Sequence, residues 1–201
     1  MAEVPIYTIG HGNRSLEDFM QLLQRYEIAY VIDVRSQPYS RYTPHFARSA
    51  LEHTLKERHI RYVFMGDTLG GRPRDESCYR DAKPQYDIMR TKPFFLQGIA
   101  RLRVVWEKQL RVVLLCSEAK PQECHRSKLI GNALLEQQIL VSHIDENGFC
   151  KEQQTINMLL TGGQQLLFDD LSPVDVSGKI GHARKKVVLA DEDREEEMDA
   201  T

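Results

Sequence analysis

The sequence contains no long apolar segment. No run approaches the roughly 18 consecutive apolar residues of a membrane-spanning helix, and residues 1–5 do not show the basic then apolar layout of a signal peptide. We therefore expect a cytoplasmic protein without a membrane partner. Cysteine is also sparse, with four residues in a chain of 201. Without a secretion signal, so few cysteines favour free thiols over a disulfide framework.

The chain carries little excess charge, but the charge is unevenly distributed. Residues 191–201 hold seven acidic residues and one arginine, so this end carries -6 and the rest of the chain +4. A chain of this length accommodates one hydrophobic core with little to spare. We expect a single domain over residues 1–161, followed by a linker and charged tail over residues 162–201 that is disordered in part.

Strand-like and helix-like segments alternate along the first 160 residues. Apolar, β-branched runs predict strands at 6–9, 30–34, 60–65, 111–116 and 139–144. Helical spacing and capping patterns predict helices at 16–26, 46–55, 93–106, 124–138 and 152–160. Residues 66–84 show no periodicity and are predicted to form a long loop or lid. The alternation predicts one three-layer α/β/α domain with a mostly parallel, Rossmann-like sheet, whose ligand crevice lies at the carboxyl ends of the strands.

Polar and reactive residues follow each of three predicted strands. The pairs are His11 with Arg14, Asp33 with Arg35, and Cys116 with Glu118. Because parallel strands end at the same edge of a sheet, we expect these pairs to meet in one pocket. The alternative is that each residue only caps its own turn.

The segment from Cys116 to Arg126 is the most informative part of the sequence. It places one thiol at a strand end and a second, Cys124, at the predicted start of a helix. The free amides and dipole of a helix start can bind an anion or lower the pKa of a thiol. We predict that Cys124 is a nucleophile, that His125 or Glu118 moves protons, and that Arg126 holds an anion.

Other interpretations of the same side chains remain open. Cys116 can be a small buried apolar residue, as cysteines at strand ends often are. A zinc ion can be held by Cys116, Cys124 and His125 with His11 or His143 as the fourth ligand, although the spacing of the two cysteines is unlike a zinc knuckle. The Cys-x5-Arg loop of phosphatases is absent, and the glycines after the first strand do not complete a dinucleotide-binding fingerprint.

Two further segments are suited to binding an anionic substrate. In residues 35–48 arginines alternate with aromatic residues, a pattern that can stack bases and contact phosphates, or that can pack beneath a structured loop. Residues 69–74 offer backbone amides and guanidinium groups. The substrate-binding residues predicted across the chain are His11, Arg14, Asp33, Arg35, Gly70, Gly71, Arg72 and Arg126.

Several ordered motifs resemble one protein family. They are residues 8–11, Asp33-Val34-Arg35 followed by Pro38 and Phe46, residues 69–72, residues 115–118, and Cys124-His125-Arg126. Together they are similar to the domain-of-unknown-function family 488 over about residues 6–144. The resemblance implies a compact α/β domain of bacterial or archaeal type, with these positions as candidate site residues. It implies no particular reaction.

Residues 164–168 resemble the pentapeptide that binds the bacterial sliding clamp, with Gln first and Leu-Phe last. Gln164, Leu167 and Phe168 would make the contacts, because a short segment after Gly-Gly can present apolar anchors to a preformed pocket. The second position is Gln instead of the usual Leu. The same apolar residues can instead dock on the domain's own core.

These observations support three functional hypotheses. The leading one is a cysteine-dependent hydrolase or transferase that acts on an anionic nucleotide or nucleic-acid substrate in the strand-end pocket. The second is a non-catalytic DNA-associated adaptor, tethered to the sliding clamp through residues 164–168. The third is a zinc-binding site at Cys116, Cys124 and His125. The sequence identifies no cofactor for the leading hypothesis.

Overall fold

A six-stranded sheet lies at the centre of the computed structural model, which describes residues 3–161. Its strands are β1 (Ile6–Gly10), β2 (Tyr30–Asp33), β3 (Arg61–Phe64), β6 (Val112–Cys116), β7 (Val141–Ile144) and β8 (Cys150–Glu152), in the order β3-β2-β6-β1-β7-β8. A separate hairpin consists of β4 (Tyr79–Arg80) and β5 (Lys83–Pro84). Every pairing of the six-stranded sheet is parallel except that of β8 with β7.

Helices cover both faces of the sheet. They are α1 (Leu16–Arg25), α2 (Arg48–Glu57), α3 (Gly66–Leu69), α4 (Tyr86–Arg90), α5 (Pro93–Glu107), a π-helix (Arg126–Gly131), α6 (Asn132–Leu135) and α7 (Gln153–Leu160). Short 3-10 turns occur at Pro44–Phe46, Glu76–Cys78 and Pro121–Glu123. None of the helices in the described range is long and apolar enough to cross a membrane.

The sheet divides the hydrophobic core into two layers. Val112 and Leu114 of β6 pack with α5, the π-helix and α6, whereas Val113 and Leu115 pack with α1 and α2. Successive strand residues point to opposite faces, so a strand that is apolar at every position is buried on both sides. The predicted three-layer α/β/α architecture with a mostly parallel sheet is therefore confirmed.

Two local predictions need correction. The helix predicted at 124–138 begins only at Arg126, because Cys124 has extended backbone angles, and its first part is a π-helix. Residues 66–84 are not an unstructured loop, since they contain α3, a 3-10 turn and the β4–β5 hairpin. Strand β8, which the sequence did not predict, pairs antiparallel with β7. The predicted linker and tail, with Gln164, Leu167 and Phe168, lie outside the described residues.

Candidate functional site

Strand register brings the predicted site segments to one edge of the sheet. Gly10 of β1 pairs with Cys116 of β6, and Asp33 of β2 pairs with Leu115. The loops that follow these strands enclose a cavity of about 380 Å³. Its walls include Arg35, Arg72, Tyr86, Cys116, Glu118 and His125. The cavity thus lies at the carboxyl ends of the strands, where the sequence predicts a ligand crevice.

Two thiols, an imidazole and a carboxylate meet at the inner end of this cavity. We call Cys116, Glu118, Cys124 and His125 the thiol cluster, because their ligand atoms all lie within 4.8 Å of one another. The thiols of Cys116 and Cys124 donate to the same Glu118 Oε2, at 2.8 and 3.1 Å. His125 Nδ1 lies 3.4 Å from the Cys116 sulfur and 3.7 Å from the Cys124 sulfur. Glu118 alone of the four is exposed.

The backbone around Cys124 explains how neighbouring residues reach one point. Adjacent side chains on a helix diverge by about 100°, so Cys124 and His125 would not converge if both were helical. The helix begins after them, and the amide of Arg126 lies 3.4 Å from the Cys124 sulfur. Gly71 leaves room for the imidazole, since a Cβ there would lie 2.8 Å from Cγ of His125.

The imidazole of His125 has a defined orientation. Its Nε2 lies 3.1 Å from the carbonyl oxygen of Val34, which can only accept, so this nitrogen carries a proton and donates it. The Nδ1 lone pair is then directed at the two sulfurs. A backbone carbonyl that holds one ring nitrogen in this way is the usual second partner of a metal-binding histidine.

The electrostatic environment of the cluster differs from our expectation. Burial, together with a hydrogen bond to Cys116, raises the pKa of Cys124 well above its ordinary value. Burial lowers the pKa of His125, but the bond to Cys124 and the charge of Glu118 outweigh it, so the pKa is raised. Burial acts upward on the pKa of Glu118, and the bonds from both thiols more than offset it, so the pKa is lowered. The predicted lowering of the Cys124 pKa is wrong, because burial outweighs the bond to His125 and the His125 charge, which act downward.

Two arginines that we predicted to bind an anion instead donate hydrogen bonds to backbone carbonyls. Arg126 is fully buried, and its guanidinium donates to the carbonyl oxygens of Glu118 and Ala119. Arg14 donates to the carbonyls of Gly10 and Asp145. Because these donors already satisfy backbone oxygens, neither side chain offers its main hydrogen-bonding face to a substrate. Arg126 holds the loop that carries Glu118 against the π-helix.

Asp33 and Arg35 form a buried ion pair at the cavity wall. The Asp33 carboxylate accepts from Nε and Nη2 of Arg35 at 2.9 and 2.6 Å, and from the Tyr62 hydroxyl at 2.7 Å. Asp33, which the sequence predicts as a substrate-binding residue, therefore orients its basic neighbour. The carboxylate also neutralises much of the charge that Arg35 brings to the cavity. Arg72 is exposed on the same wall and has no such partner among the ion pairs of residues 3–161.

The remaining predicted residues divide between the cavity and the packing beside it. Gly71 lines the cavity, whereas a Cβ on Gly70 would lie 2.3 Å from the carbonyl of Gly66, which marks a close backbone contact. His11 is buried and stacks on Phe46 with ring centres 4.6 Å apart. Its Nδ1 lies 3.0 Å from the carbonyl of Gly12, and its Nε2 has no hydrogen-bond partner among residues 3–161. Burial lowers the pKa of His11.

Neither histidine that we predicted as a fourth zinc ligand belongs to the thiol cluster. His143 is fully buried between Thr8 and Gln153, at 2.7 and 2.6 Å, and both of its nitrogens are occupied. Glu118 is the fourth member of the cluster instead. The sequence predicted only proton transfer for Glu118 and missed this position, although a carboxylate two residues after Cys116 was a usable signal. It also missed Tyr86, which lies in a weakly patterned segment and lines the cavity.

Comparison with known proteins gives a family and no nearer relative. A family model described as Domain of unknown function DUF488 matches residues 15–132, more than half of the chain. The chain belongs to this family. No curated protein and no solved structure matches. The DUF488 match includes all four residues of the thiol cluster and both residues of the Asp33–Arg35 pair, while His11 and Arg14 precede it.

Proposed function

We propose that this DUF488 protein is a zinc-dependent enzyme that acts on an anionic substrate in the strand-end cavity. The observation that carries the proposal is the thiol cluster itself. Two sulfurs, an imidazole nitrogen and a carboxylate oxygen lie within 4.8 Å of one another beside an open cavity. These donors, from residues 116–118 and 124–125, are close enough together for a single ion to contact all of them.

The donor set favours zinc over other common ions. Thiolates are soft ligands that magnesium and calcium do not select, and a set of two sulfurs with imidazole is typical of tetrahedral zinc. The Nε2 proton of His125 is held by Val34, so Nδ1 is free to coordinate. Binding would release the thiol protons, since zinc holds cysteine as the thiolate.

The position of the cluster favours catalysis over a purely structural role. Structural zinc sites are closed by four protein ligands, whereas catalytic sites keep one position for water or substrate. Cys116, Glu118 and His125 line the cavity, and Glu118 is exposed. Glu118 can therefore close the fourth position or leave it, because its loop faces the cavity.

The chain's own groups suggest a division of roles. A bound zinc ion would supply Lewis-acid activation of a substrate or water. Glu118, with its lowered pKa, is ionised at neutral pH and can accept a proton beside the cluster. Arg72 offers an exposed guanidinium to the anionic part of a substrate, and the Tyr86 ring provides an apolar wall.

Metal analysis of protein purified without a histidine tag tests the proposal. We expect about one zinc ion per chain by elemental mass spectrometry, and loss of that ion in Cys116→Ser and Cys124→Ser. The matched controls are Cys78→Ser, another buried cysteine, and Cys150→Ser, an exposed one, which should both retain zinc. A metal-free protein that takes up no zinc on titration would overturn the proposal.

One contact favours a second candidate function, a metal-free thiol enzyme. Glu118 Oε2 lies 2.8 Å from the Cys116 sulfur and could accept its proton. Cys116, and not the predicted nucleophile Cys124, lines the cavity, so thiol chemistry would use Cys116. In that case iodoacetamide should label Cys116 in zinc-free protein, and Glu118→Gln should slow the labelling. Equal labelling rates in both proteins would reject this second function.

A further inference from the structure

Two exposed tyrosines of one loop have no role in the proposed chemistry, and one of them, Tyr39, lines the cavity. Tyr39 and Tyr42 are 77% and 79% exposed, more than any other large apolar side chain in residues 3–161. Single exposed aromatic residues are common on protein surfaces. Here two of them, three positions apart, are exposed on one loop that reaches the cavity wall at Tyr39, an arrangement suited to a partner with flat apolar faces.

The loop that carries these rings is ordered by its own hydrogen bonds. We call residues 36–47 the tyrosine loop. The Ser40 hydroxyl accepts from the amides of Tyr42 and Thr43, at 3.2 and 3.1 Å. The amide of Arg48 donates to the carbonyl of Pro38 at 2.9 Å, and Phe46 anchors the loop in the core. Rings presented by a pre-ordered loop bind a partner without a large ordering cost.

The charge of the loop specifies the kind of partner. Residues 36–47 contain one arginine, Arg41, and no acidic residue. The Arg41 guanidinium lies 4.8 Å from the centre of the Tyr42 ring and donates to its hydroxyl at 2.7 Å. Aromatic rings with adjacent guanidinium groups stack bases and contact phosphates, and they do so only when the bases are unpaired.

Tyr39 connects this surface to the cavity, because it also lines the cavity wall with Arg72 and Tyr86. We infer that the tyrosine loop binds single-stranded nucleic acid, with bases stacked on Tyr42 and Tyr39 and the next nucleotide in the cavity. The nucleotide in the cavity is the anionic substrate of the proposed function, on which this part of the inference rests. A free mononucleotide would fill the cavity and leave the Tyr42 ring without a partner.

Fluorescence anisotropy with a labelled oligothymidylate of about 12 nucleotides tests the inference on the full chain. We expect wild-type protein to bind this strand, and to bind a duplex of equal length more weakly. Replacement of either tyrosine by Leu should raise the Kd about tenfold, because a stacking face is lost. Tyr39→Phe and Tyr42→Phe should bind like wild type, since Phe keeps the ring.

Two controls distinguish base stacking from nonspecific hydrophobic binding and from binding by charge alone. Phe149 is 60% exposed, lies outside the tyrosine loop and does not line the cavity, so Phe149→Leu should not change the Kd. Polyglutamate at matched charge should compete poorly with the oligonucleotide. Equal affinity of the Tyr39→Leu/Tyr42→Leu double variant and wild type would overturn the inference. So would the absence of oligonucleotide binding at low salt, or equal competition by polyglutamate.

The result is distinguishable from the outcome of the zinc experiment. Zinc content depends on the thiol cluster and oligonucleotide affinity on the tyrosine loop, and Tyr39 and Tyr42 do not belong to that cluster. Binding in a protein that takes up no zinc would refute the proposed function alone. Zinc in a protein that binds no oligonucleotide would refute the inference alone.

Discussion

His125 and His143 are both buried against the same sheet, yet their surroundings differ in kind. His143 lies between the hydroxyl of Thr8 and the amide oxygen of Gln153, and Gln153 continues to Ser127, Asn132 and Asn157. Every partner in this group, which we call the amide network, is a neutral side chain. His125 lies among two thiols and a carboxylate at a cavity wall.

The pKa values of the two histidines follow from these partners. Burial lowers the pKa of His143 to about 4, so this ring is neutral at physiological pH and serves only as a hydrogen-bonding link. The charge of Glu118 and the bond to Cys124 raise the pKa of His125 in spite of its burial. A buried histidine is thus indicative of chemistry when its neighbours are ionisable and open to a cavity, and of packing when they are neutral and enclosed.

The difference between the two histidines should have its largest effect on zinc content. We expect His125→Ala to lose zinc in protein dialysed against a weak chelator, because one of three buried ligands is removed. His143→Asn should retain zinc at the wild-type ratio. Elemental analysis of the two variants side by side measures this difference. Equal zinc content would show that His125 and His143 do not differ in metal binding.

The next largest effect is expected from Gly10, which lies beneath the loop that carries Glu118. A Cβ at this position would lie 1.7 Å from the Glu118 carbonyl oxygen and 2.6 Å from Nη1 of Arg126. Gly10→Ala should therefore lower the free energy of unfolding by about 3 kcal/mol, since the clash is with backbone. Urea unfolding measures the change.

A matched control for Gly10 is available in α5. At Gly98 the nearest atom to an added Cβ is Cδ2 of Leu69, at 2.6 Å, the end of a flexible side chain. Gly98→Ala should lower the free energy of unfolding much less, also because Ala is more favourable than Gly in a helix interior. If the two variants unfold at the same urea concentration, the close approach at Gly10 does not constrain the site.

The free energy of unfolding, measured as a function of pH, tests whether His143 in the amide network is neutral when folded. The unfolded chain protonates His143 near its ordinary pKa of 6.5, while the folded chain does so only near about 4. The unfolded state then binds more protons as pH falls below 6.5, so stability present at pH 7 is lost progressively down to about pH 4. Between pH 7 and pH 5 this one group should remove about 2 kcal/mol.

The variant His143→Asn isolates that contribution from the other titrating groups. It should be less stable than wild type at pH 7, because two buried hydrogen bonds are altered, but its stability should fall less between pH 7 and pH 5. Urea unfolding at both pH values gives the comparison. Parallel loss of stability in the two proteins would show that His143 does not account for the slope.

The smallest effect is expected at the outer end of the amide network. Asn157 accepts from Gln153 Nε2 at 2.8 Å and donates to Asn132 at 2.9 Å, and it is only partly buried. Asn157→Ala should cost about 1 kcal/mol, since Gln153 keeps Asn132 as an acceptor and water can replace the lost group. The zinc content of this variant should equal that of wild type. A loss of zinc would show that the amide network affects the thiol cluster.

Much of the fold was predictable because it depends on local pattern. The β-branched run of β6 predicts a strand buried on both faces, and Ser15 caps α1 through a bond to the amide of Asp18, as its spacing predicts. Strand β8 was not predictable in this way. Cys150–Glu152 is three residues long, partly exposed and held by its pairing with β7, so its strand conformation comes from a neighbour.

For the candidate site, the sequence predicted which residues take part but not how they are arranged. Cys116, Glu118, Cys124 and His125 all lie within residues 116–125, at or after the end of one strand, so their closeness along the chain indicates that they belong near one another. The inward direction of Arg126 and the packing of His11 on Phe46 could not be inferred, since each depends on how the backbone folds in three dimensions and not on a local pattern. Glu118 as the shared acceptor of both thiols is a result of the same kind.

The amino-acid sequence by itself determined the alternation of strands and helices, the two-sided burial of the central strands and the set of reactive residues at their ends. These follow from periodicity and chain order, which are local properties. Only the tertiary structure decided which of those residues share a point in space and which are ionised. Contact depends on strand register and on close approaches such as that at Gly10, and the pKa of a group depends on burial and neighbouring charge.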